Sequence, residues 1–204
     1  LYGTGYTATL EVGSGKTYST VQKAVNSARS GDKILVYDGV FKESVVIDVG
    51  GITIQSKNRW GAVMDGDGGR HANAFIVSAP TTQIVGFNVQ NYATSATASD
   101  GVVKIIKGAS GSQVKYCLFQ KNKTRKVNSG IVQLRTGSLT VRGNIFRDNV
   151  LADGDGGAVE TTYASNAIIE LNSFQDRSGA YYSLYHTNGG NKAIIRYNYF
   201  KDPI

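Results

Sequence analysis

The sequence has few of the residues that cross-link or stiffen a chain. It contains one cysteine, Cys117, and two prolines in 204 residues, so no intrachain disulfide can form. No apolar run approaches the length of about 18 residues that a membrane-spanning helix requires, and we predict no membrane span. Leu1 is not followed by a basic segment and an apolar core, so any signal peptide is expected to have been removed or never to have existed.

Composition and charge narrow the class of protein and the kind of partner. Hydrophobic residues make up 41% and charged residues 18% of the chain, and glycine occurs 25 times, which is typical of a globular, turn-rich β-protein. The net charge of +7 favours an acidic partner. The densest basic cluster, at 121–126, is short and carries no nucleic-acid-binding motif. The charge is compatible with an acidic polysaccharide or another anionic surface as the partner, and the missing motif leads us to predict no nucleic-acid partner.

Four phenylalanines recur at a nearly constant interval. Phe119, Phe146, Phe174 and Phe200 follow one another at 27, 28 and 26 residues, and Cys117 or an asparagine stands two positions before each. A period in this range indicates stacked structural units that bury their apolar faces only against one another. We predict that the phenylalanines stack in the interior. The asparagines are predicted to occupy tight turns, where Asn tolerates a positive φ.

Short β-branched runs recur with the same period. Runs at 75–78, 102–106, 131–135, 158–162 and 183–187 lie about one period apart and are bounded by turn residues. No helix-length apolar pattern separates them, which argues against alternating strands and helices. The predicted fold is an all-β, single-stranded parallel β-helix. We expect one domain over 1–204, with coils of about 27 residues from residue 34 onward.

One segment near the N-terminus departs from the strand pattern. Between Ser19 and Gly31 the apolar residues fall on one face of an amphipathic helix, which we predict over 19–30 with a capping box from Ser19 to Gln22. Such a helix can cover the open end of a solenoid. No comparable segment precedes Ile204. The protein is therefore predicted to be a monomer, or an oligomer in which another chain covers the C-terminal end.

The N-terminal half has a specific order of motifs. The helical segment 17–32 ends in Gly31-Asp32, strand-like runs follow at 34–41, 45–48 and 52–56, and Val63–Gly66 reads Val-Met-Asp-Gly. This order resembles the opening of pectin-lyase-like right-handed parallel β-helices. It is more similar to the alginate-lyase and chondroitinase-B type of polysaccharide lyase than to the polygalacturonase-like hydrolases, whose Gly-Asp-Asp, Gly-His-Gly and Arg-Ile-Lys motifs do not occur here.

The resemblance implies a right-handed β-helix that acts on carbohydrate. For the lyase type it implies β-elimination on a uronate-containing polysaccharide, with a lysine base, an arginine acid and sometimes calcium. The same superfamily includes non-catalytic members, so the alternative is a glycan- or receptor-binding β-helix such as a phage tailspike or adhesin fragment. A structural repeat module in a larger assembly is a third possibility. The implied location is secreted, extracellular or virion-associated.

Strand alternation predicts one exposed stripe of polar side chains across successive coils. The stripe consists of Lys104, Gln133, Arg135 and Glu160 and, in the last coil, of either Tyr185 or His186. Beta-elimination needs a cation for the uronate carboxylate, a base for the C5 proton and an acid for the leaving oxygen. Either Lys104 or His186 is the predicted base, Arg135 the carboxylate ligand, and Tyr185 the proton donor or a stacking surface for a sugar. The predicted substrate-binding residues are Gln133 and Glu160 of the stripe and the nearby Tyr182.

Two identical loops, Asp65–Gly69 and Asp153–Gly157, each read Asp-Gly-Asp-Gly-Gly. Alternate carboxylates in a glycine-rich loop suit calcium, a hard cation that takes oxygen ligands, although the full EF-hand spacing is missing. The second loop leads directly into the run that carries Glu160. Calcium is therefore predicted as a cofactor, held by Asp153, Asp155 and Glu160.

Overall fold

Each coil of the chain contributes one short strand to each of three sheets. The computed structural model describes residues 7–95, 100–126, 128–151, 156–175, 183–187 and 192–201. The strands in these ranges, in chain order, are β1 (Thr9–Val12), β2 (Lys33–Val36), β3 (Gly39–Phe41), β4 (Val45–Ile47), β5 (Thr53–Ser56), β6 (Ala62–Asp65), β7 (Phe75–Val77), β8 (Gln83–Val85), β9 (Asn88–Gln90), β10 (Gly101–Ile105), β11 (Ser112–Lys115), β12 (Leu118–Gln120), β13 (Ser129–Leu134), β14 (Gly137–Arg142), β15 (Ile145–Arg147), β16 (Gly156–Thr162), β17 (Ala164–Glu170), β18 (Ser173–Gln175), β19 (Leu184–Thr187), β20 (Lys192–Arg196) and β21 (Tyr199–Phe200).

The strands pair in parallel between coils, which confirms the predicted β-helix. The eight-stranded sheet has the order β1-β2-β5-β8-β11-β14-β17-β20, and the six-stranded sheet runs β4-β7-β10-β13-β16-β19. The seven-stranded sheet runs β3-β6-β9-β12-β15-β18-β21. No helix in the described ranges has the length and apolar character needed to cross a bilayer.

The predicted phenylalanine stack is present in the interior. Strand pairing places Phe119, Phe146, Phe174 and Phe200 at one position of the seven-stranded sheet. Successive ring centroids are 5.0 Å apart, and the ring planes are nearly parallel, with interplanar angles of 8–9°. One ring per coil therefore fills the core at the spacing of the strands, which is about 4.8 Å.

The asparagines form a ladder at the predicted turns, but the residue with the positive φ is the one before each ladder position. Asn144 Oδ1 accepts the backbone N–H of Cys117, and Asn172 Oδ1 accepts that of Asn144, at 2.9 and 3.0 Å. Tyr116 and Gly143, which precede Cys117 and Asn144, have φ values of 58° and 66°. The buried asparagine thus joins neighbouring coils by side-chain bonds, while its predecessor makes the turn.

The N-terminal helix is shorter than predicted. Helix α1 (Val21–Ser27) begins after Thr20, whose side chain accepts the N–H of Lys23, so Thr20 rather than Ser19 is the N-cap. The carboxylate of Glu43 accepts the N–H groups of Val21 and Gln22, which satisfies two of the donors that a helix start leaves unpaired. The helix packs against β1, β2 and β4. It therefore lies at the N-terminal end of the solenoid, as predicted.

The last described coil exposes side chains that are interior in earlier coils. Ile195 continues the buried column of Val141 and Ile169 but is 48% exposed, and Phe200 is 47% exposed. No described strand pairs with the outer edges of β19, β20 and β21. Coverage of this end by another chain stays a prediction.

Candidate functional site

The predicted stripe is aligned by strand pairing. Lys104 of β10 pairs with Gln133 of β13, Gln133 with Glu160 of β16, and Glu160 with Tyr185 of β19. All four stand at one outward position of the six-stranded sheet. Of the two alternatives for the last coil, Tyr185 joins this position, whereas His186 pairs with Thr161, which belongs to the buried side.

The predicted exposure is wrong for two members of the stripe. Gln133 and Glu160 are both 0% exposed. Gln133 Nε2 donates to the carbonyl of Asn128 at 2.7 Å, so the turn leading into β13 packs over this part of the sheet. A Cβ atom at Gly130 would lie 3.0 Å from Glu160 Cβ, which places the Glu160 side chain against the glycine of the neighbouring coil. A sugar cannot lie directly on these two side chains.

Glu160 is a buried carboxyl with incomplete hydrogen bonding. Thr162 Oγ1 donates to Glu160 Oε1, but Glu160 Oε2 and Gln133 Oε1 have no hydrogen-bond partner among the described residues. Burial raises the pKa of Glu160, against the opposing effects of Thr162, Gln133 and the charge of Arg135. Within the described ranges, two acceptor oxygens in neighbouring coils thus lack a donor, which is costly for buried groups.

The predicted base Lys104 already has an anionic partner. Its Nζ lies 3.1 Å from Asp100 Oδ1, and the Asp100 side chain is 4% exposed. Burial acts to raise the pKa of Asp100, but hydrogen bonds from Ser95, Asn73 and Lys104 outweigh it, so this pKa lies below the usual value. Asp100 is therefore a stable carboxylate, and its ion pair occupies Lys104 Nζ, which is then not free to face a substrate.

The structure describes only some of the remaining predicted site residues. Arg135 is half-buried and follows the end of β13, and Tyr185 is half-buried in β19. Tyr182, Asp153 and Asp155 lie outside the described residues, as does the side chain of His186. These residues keep their predicted roles as untested predictions.

The first Asp-Gly-Asp-Gly-Gly loop uses its carboxylates for other bonds. Asp65 Oδ2 accepts hydrogen bonds from Gln90 and Asn91 at 2.8 and 3.0 Å. Asp67 pairs with Lys42 and Arg70 at 2.8 and 3.2 Å. In the part of the chain that the structure describes, no group of three or more acidic, histidine or cysteine side chains could hold a metal ion. The first loop is therefore a turn stabilised by cationic and amide donors.

A second polar column lies on the outside of the eight-stranded sheet. Pairing aligns Lys115 of β11, Arg142 of β14, Glu170 of β17 and Arg196 of β20. Glu170 forms ion pairs with Arg142 at 3.2 Å and with Arg196 at 2.7 Å, and the arginine side chains are 44% and 54% exposed. One carboxylate and three cationic side chains give this column, here called the cation column, a net positive charge.

Lys115 has the properties that the predicted base required. It is half-buried, and burial, followed by the charge of Arg142, lowers its pKa. Its Nζ donates to Gln83 Oε1 at 2.8 Å, a neutral partner. A neutral amine can make this bond with one N–H and keep its lone pair for a substrate proton.

The cation column was missed although the repeat contains it. Lys115, Arg142, Glu170 and Arg196 each stand two positions before Cys117 or an asparagine of the ladder. Because the ladder fixes the register between coils, these four positions could have been aligned from the sequence. The β-branched runs from which the stripe was predicted belong to the six-stranded sheet instead.

Comparisons with known proteins add little to this geometry. No family model matches the chain, and no curated protein matches it. Among solved structures, a pectin methylesterase in complex with a hexasaccharide has a TM-score of 0.49 and 13% identity, over 85% of this chain and 66% of that one. Pectin methylesterase PemA from Erwinia chrysanthemi has a TM-score of 0.49 and 14% identity, over 86% and 67%. The chain thus spans about two thirds of each, and the assignment of the chain as a parallel β-helix protein rests on its own strand pairing.

Proposed function

We propose that this protein is a carbohydrate-active β-helix that binds a uronate-containing polysaccharide along the cation column and cleaves it by β-elimination. The observation that carries the proposal is the pairing of Lys115, whose pKa is lowered, with Arg142 in the next coil. Stacked coils lie about 4.8 Å apart, so one sugar ring can reach both side chains. The net charge of +7 favours an anionic polymer.

The chemistry divides between three neighbouring side chains. Arg142 binds the uronate carboxylate, which disperses negative charge as the adjacent C5 proton leaves. Lys115 takes that proton on its neutral amine. The electron pair forms the C4–C5 double bond, the C4–oxygen bond breaks, and the hydroxyl of Tyr116 protonates the leaving oxygen. Lys115 and Arg142 thereby supply the same functional groups as Lys104 and Arg135, whose catalytic roles stay predictions.

The direct test is to incubate the protein with alginate, polygalacturonate and chondroitin sulfate and to follow ultraviolet absorbance. Beta-elimination creates a double bond conjugated to the carboxylate, so absorbance is expected to rise on at least one polymer. Boiled protein provides the control. Binding of a polymer without any rise on all three would favour the alternative, a non-catalytic glycan- or receptor-binding β-helix. On the basis of such a substrate, we also propose that the protein acts outside a cell or on a virion.

We also propose calcium as a cofactor, and its support is a pair of buried oxygen atoms as well as the sequence of the loop. Glu160 Oε2 and Gln133 Oε1 are buried oxygens without a donor among the described residues, and oxygen atoms are the ligands that calcium prefers. Together with the predicted ligands Asp153 and Asp155, these two side chains would hold the ion at the six-stranded sheet. There it would offset the buried charge of Glu160 and fix the turn over β13.

Calcium binding predicts a change in thermal stability that depends on Glu160. Added calcium is expected to raise the Tm of the wild-type protein, because a ligand that binds the folded state stabilises it. The Glu160→Gln variant should show no such rise, measured by differential scanning fluorimetry after chelation and readdition. Asp67→Asn, in the first loop, is the control and should respond as the wild type does. An equal response of Glu160→Gln would contradict this site.

A further inference from the structure

Two aromatic side chains line the corner between the eight-stranded and seven-stranded sheets. Trp60 and Tyr116 both have a positive φ, at 68° and 58°. Trp60 Nε1 donates to the carbonyl of Tyr116 at 2.8 Å, across 56 residues of sequence. The Trp60 backbone N–H also donates to the carbonyl of Gly86 at 2.6 Å. These bonds fix the indole along the corner and over an intervening coil.

The ring of Tyr116 lies over a glycine of the next coil. A Cβ atom at Gly143 would lie 2.6 Å from Tyr116 Cδ1 and 2.7 Å from Cε1, so the ring occupies space that any other residue would fill. Tyr116 is nevertheless 40% exposed. It follows Lys115 directly, and Gly143 follows Arg142. The aromatic corner therefore adjoins the cation column.

Arg59 completes the corner with a cation that has no anionic partner in the part of the chain that the structure describes. Its guanidinium carbon lies 4.5 Å from the centroid of Trp60 and 5.9 Å from that of Tyr116. Arg59 is exposed, and its guanidinium makes no hydrogen bond or ion pair with any residue that the structure describes. By contrast, Arg142 is bonded to Glu170, and Arg147 is bonded to Gln120.

A guanidinium in this setting is suited to bind a carboxylate. Stacking on aromatic rings holds its plane by cation–π attraction, while its N–H edge stays free for two parallel bonds to a carboxylate. Arg59, Trp60 and Tyr116 together offer a fixed cationic fork beside ring surfaces on which a sugar can pack. Holding the fork in place reduces the side-chain entropy that binding would otherwise cost.

We propose that Arg59, supported by Trp60 and Tyr116, is a second binding subsite for the same acidic polysaccharide and takes the carboxylate of a uronate that does not itself react. The inference rests on the proposed function for its ligand class. The occupant is an acidic oligosaccharide because the site combines aromatic faces with an exposed cation that no described residue neutralises, and because it adjoins the cation column. Arg59 is thus a substrate-positioning residue, while the reacting sugar lies against Lys115 and Arg142.

The test uses the fluorescence of Trp60, the only tryptophan of the chain. Hexasaccharides prepared from alginate and from polygalacturonate are titrated into the full chain at low salt, with maltohexaose as the uncharged control. At least one acidic hexasaccharide should change the fluorescence with a saturable curve that weakens as salt is added. Maltohexaose should not. The absence of a saturable change with both acidic sugars would overturn the inference.

Two substitutions at Arg59 and one control variant test whether the guanidinium of Arg59 binds the sugar. Arg59→Ala is expected to weaken binding about ten- to hundredfold, the range of a charge-assisted bond pair. Arg59→Lys keeps the charge but loses the planar fork, so it should restore the affinity only in part. Arg125→Ala removes an exposed arginine that has neither Trp60 nor Tyr116 as a ring partner and should bind as the wild type does. Equal affinities for Arg59→Ala and Arg125→Ala would refute the subsite.

The subsite and the proposed lyase reaction can fail separately. If acidic sugars bind through Arg59 and no polymer yields unsaturated product, the subsite stands and the lyase proposal falls. If product forms and its KM is unchanged in Arg59→Ala, the lyase stands and the subsite falls. If both the subsite and the lyase proposal are correct, Arg59→Ala should raise KM severalfold and change kcat much less, because the carboxylate that Arg59 binds belongs to a sugar that does not react.

Discussion

Replacement of Lys115 by alanine is expected to lower kcat for polyuronate cleavage by about 10²–10⁴-fold, the usual contribution of a positioned general base. The physical reason is the neutral amine. Burial and the charge of Arg142 lower the pKa of Lys115, so a larger fraction of its amine is unprotonated at a given pH than in a free lysine. The measurement is the initial rate of ultraviolet absorbance increase at saturating polymer.

Lys104→Ala is the matched control for Lys115→Ala. Both lysines are half-buried on outward strand positions, but Lys104 is paired with Asp100 and Lys115 is not paired with a carboxylate in the described part of the chain. Lys104→Ala should leave kcat nearly unchanged. A large loss of kcat in Lys104→Ala with little loss in Lys115→Ala would return the chemistry to the six-stranded sheet.

The pH dependence provides a second test of the same role. A base must be deprotonated, so kcat/KM should rise with pH until the amine of Lys115 is fully neutral. Because Arg142 contributes to the lowered pKa of Lys115, Arg142→Gln should raise that pKa and shift the rising limb to higher pH. Arg142→Gln should also raise KM, since the carboxylate loses its ligand. An unshifted limb would show that another group is the base.

The solenoid was predictable from sequence because its interior repeats. Phe119, Phe146 and Phe174 occupy one interior position in three coils, and a position that must be filled once per coil leaves a period in the sequence. The ladder asparagines repeat for the same reason, since each bonds to the coil before it. Interior packing and intercoil bonding thus determine the features that a single sequence displays most clearly.

Burial on the outer surface was not predictable in the same way. Alternation gives the side of the sheet on which Gln133 and Glu160 lie, and that assignment was correct. Whether an outward side chain meets solvent depends on the turns, which vary from coil to coil. The carbonyl of Asn128 reaches Gln133 because of the path of one turn, and no periodicity encodes that path. The predicted stripe on the six-stranded sheet therefore contains two buried side chains, whereas the cation column on the eight-stranded sheet has exposed arginine side chains.

Phe146→Ala is expected to destabilise the protein by about 3–5 kcal/mol, the range observed for removal of a buried phenylalanine. Phe146 is 0% exposed, and its ring stacks between those of Phe119 and Phe174, with 5.0 Å between ring centroids on each side. The cavity would interrupt the stack between two coils. Since total stabilities are commonly about 5–15 kcal/mol, the loss should be evident as a lower midpoint in urea denaturation.

Phe200→Ala separates the effect of stacking from that of a cavity. Phe200 stacks on Phe174 at the same 5.0 Å but is 47% exposed, so its removal leaves no enclosed void. The variant should therefore lose clearly less stability than Phe146→Ala. In a solenoid each coil contacts only its neighbours, so loss at Phe200 should loosen the last coils first, while loss at Phe146 should divide the stack. Equal destabilisation by the two substitutions would mean that the cavity left at Phe146 adds nothing to the loss of ring stacking.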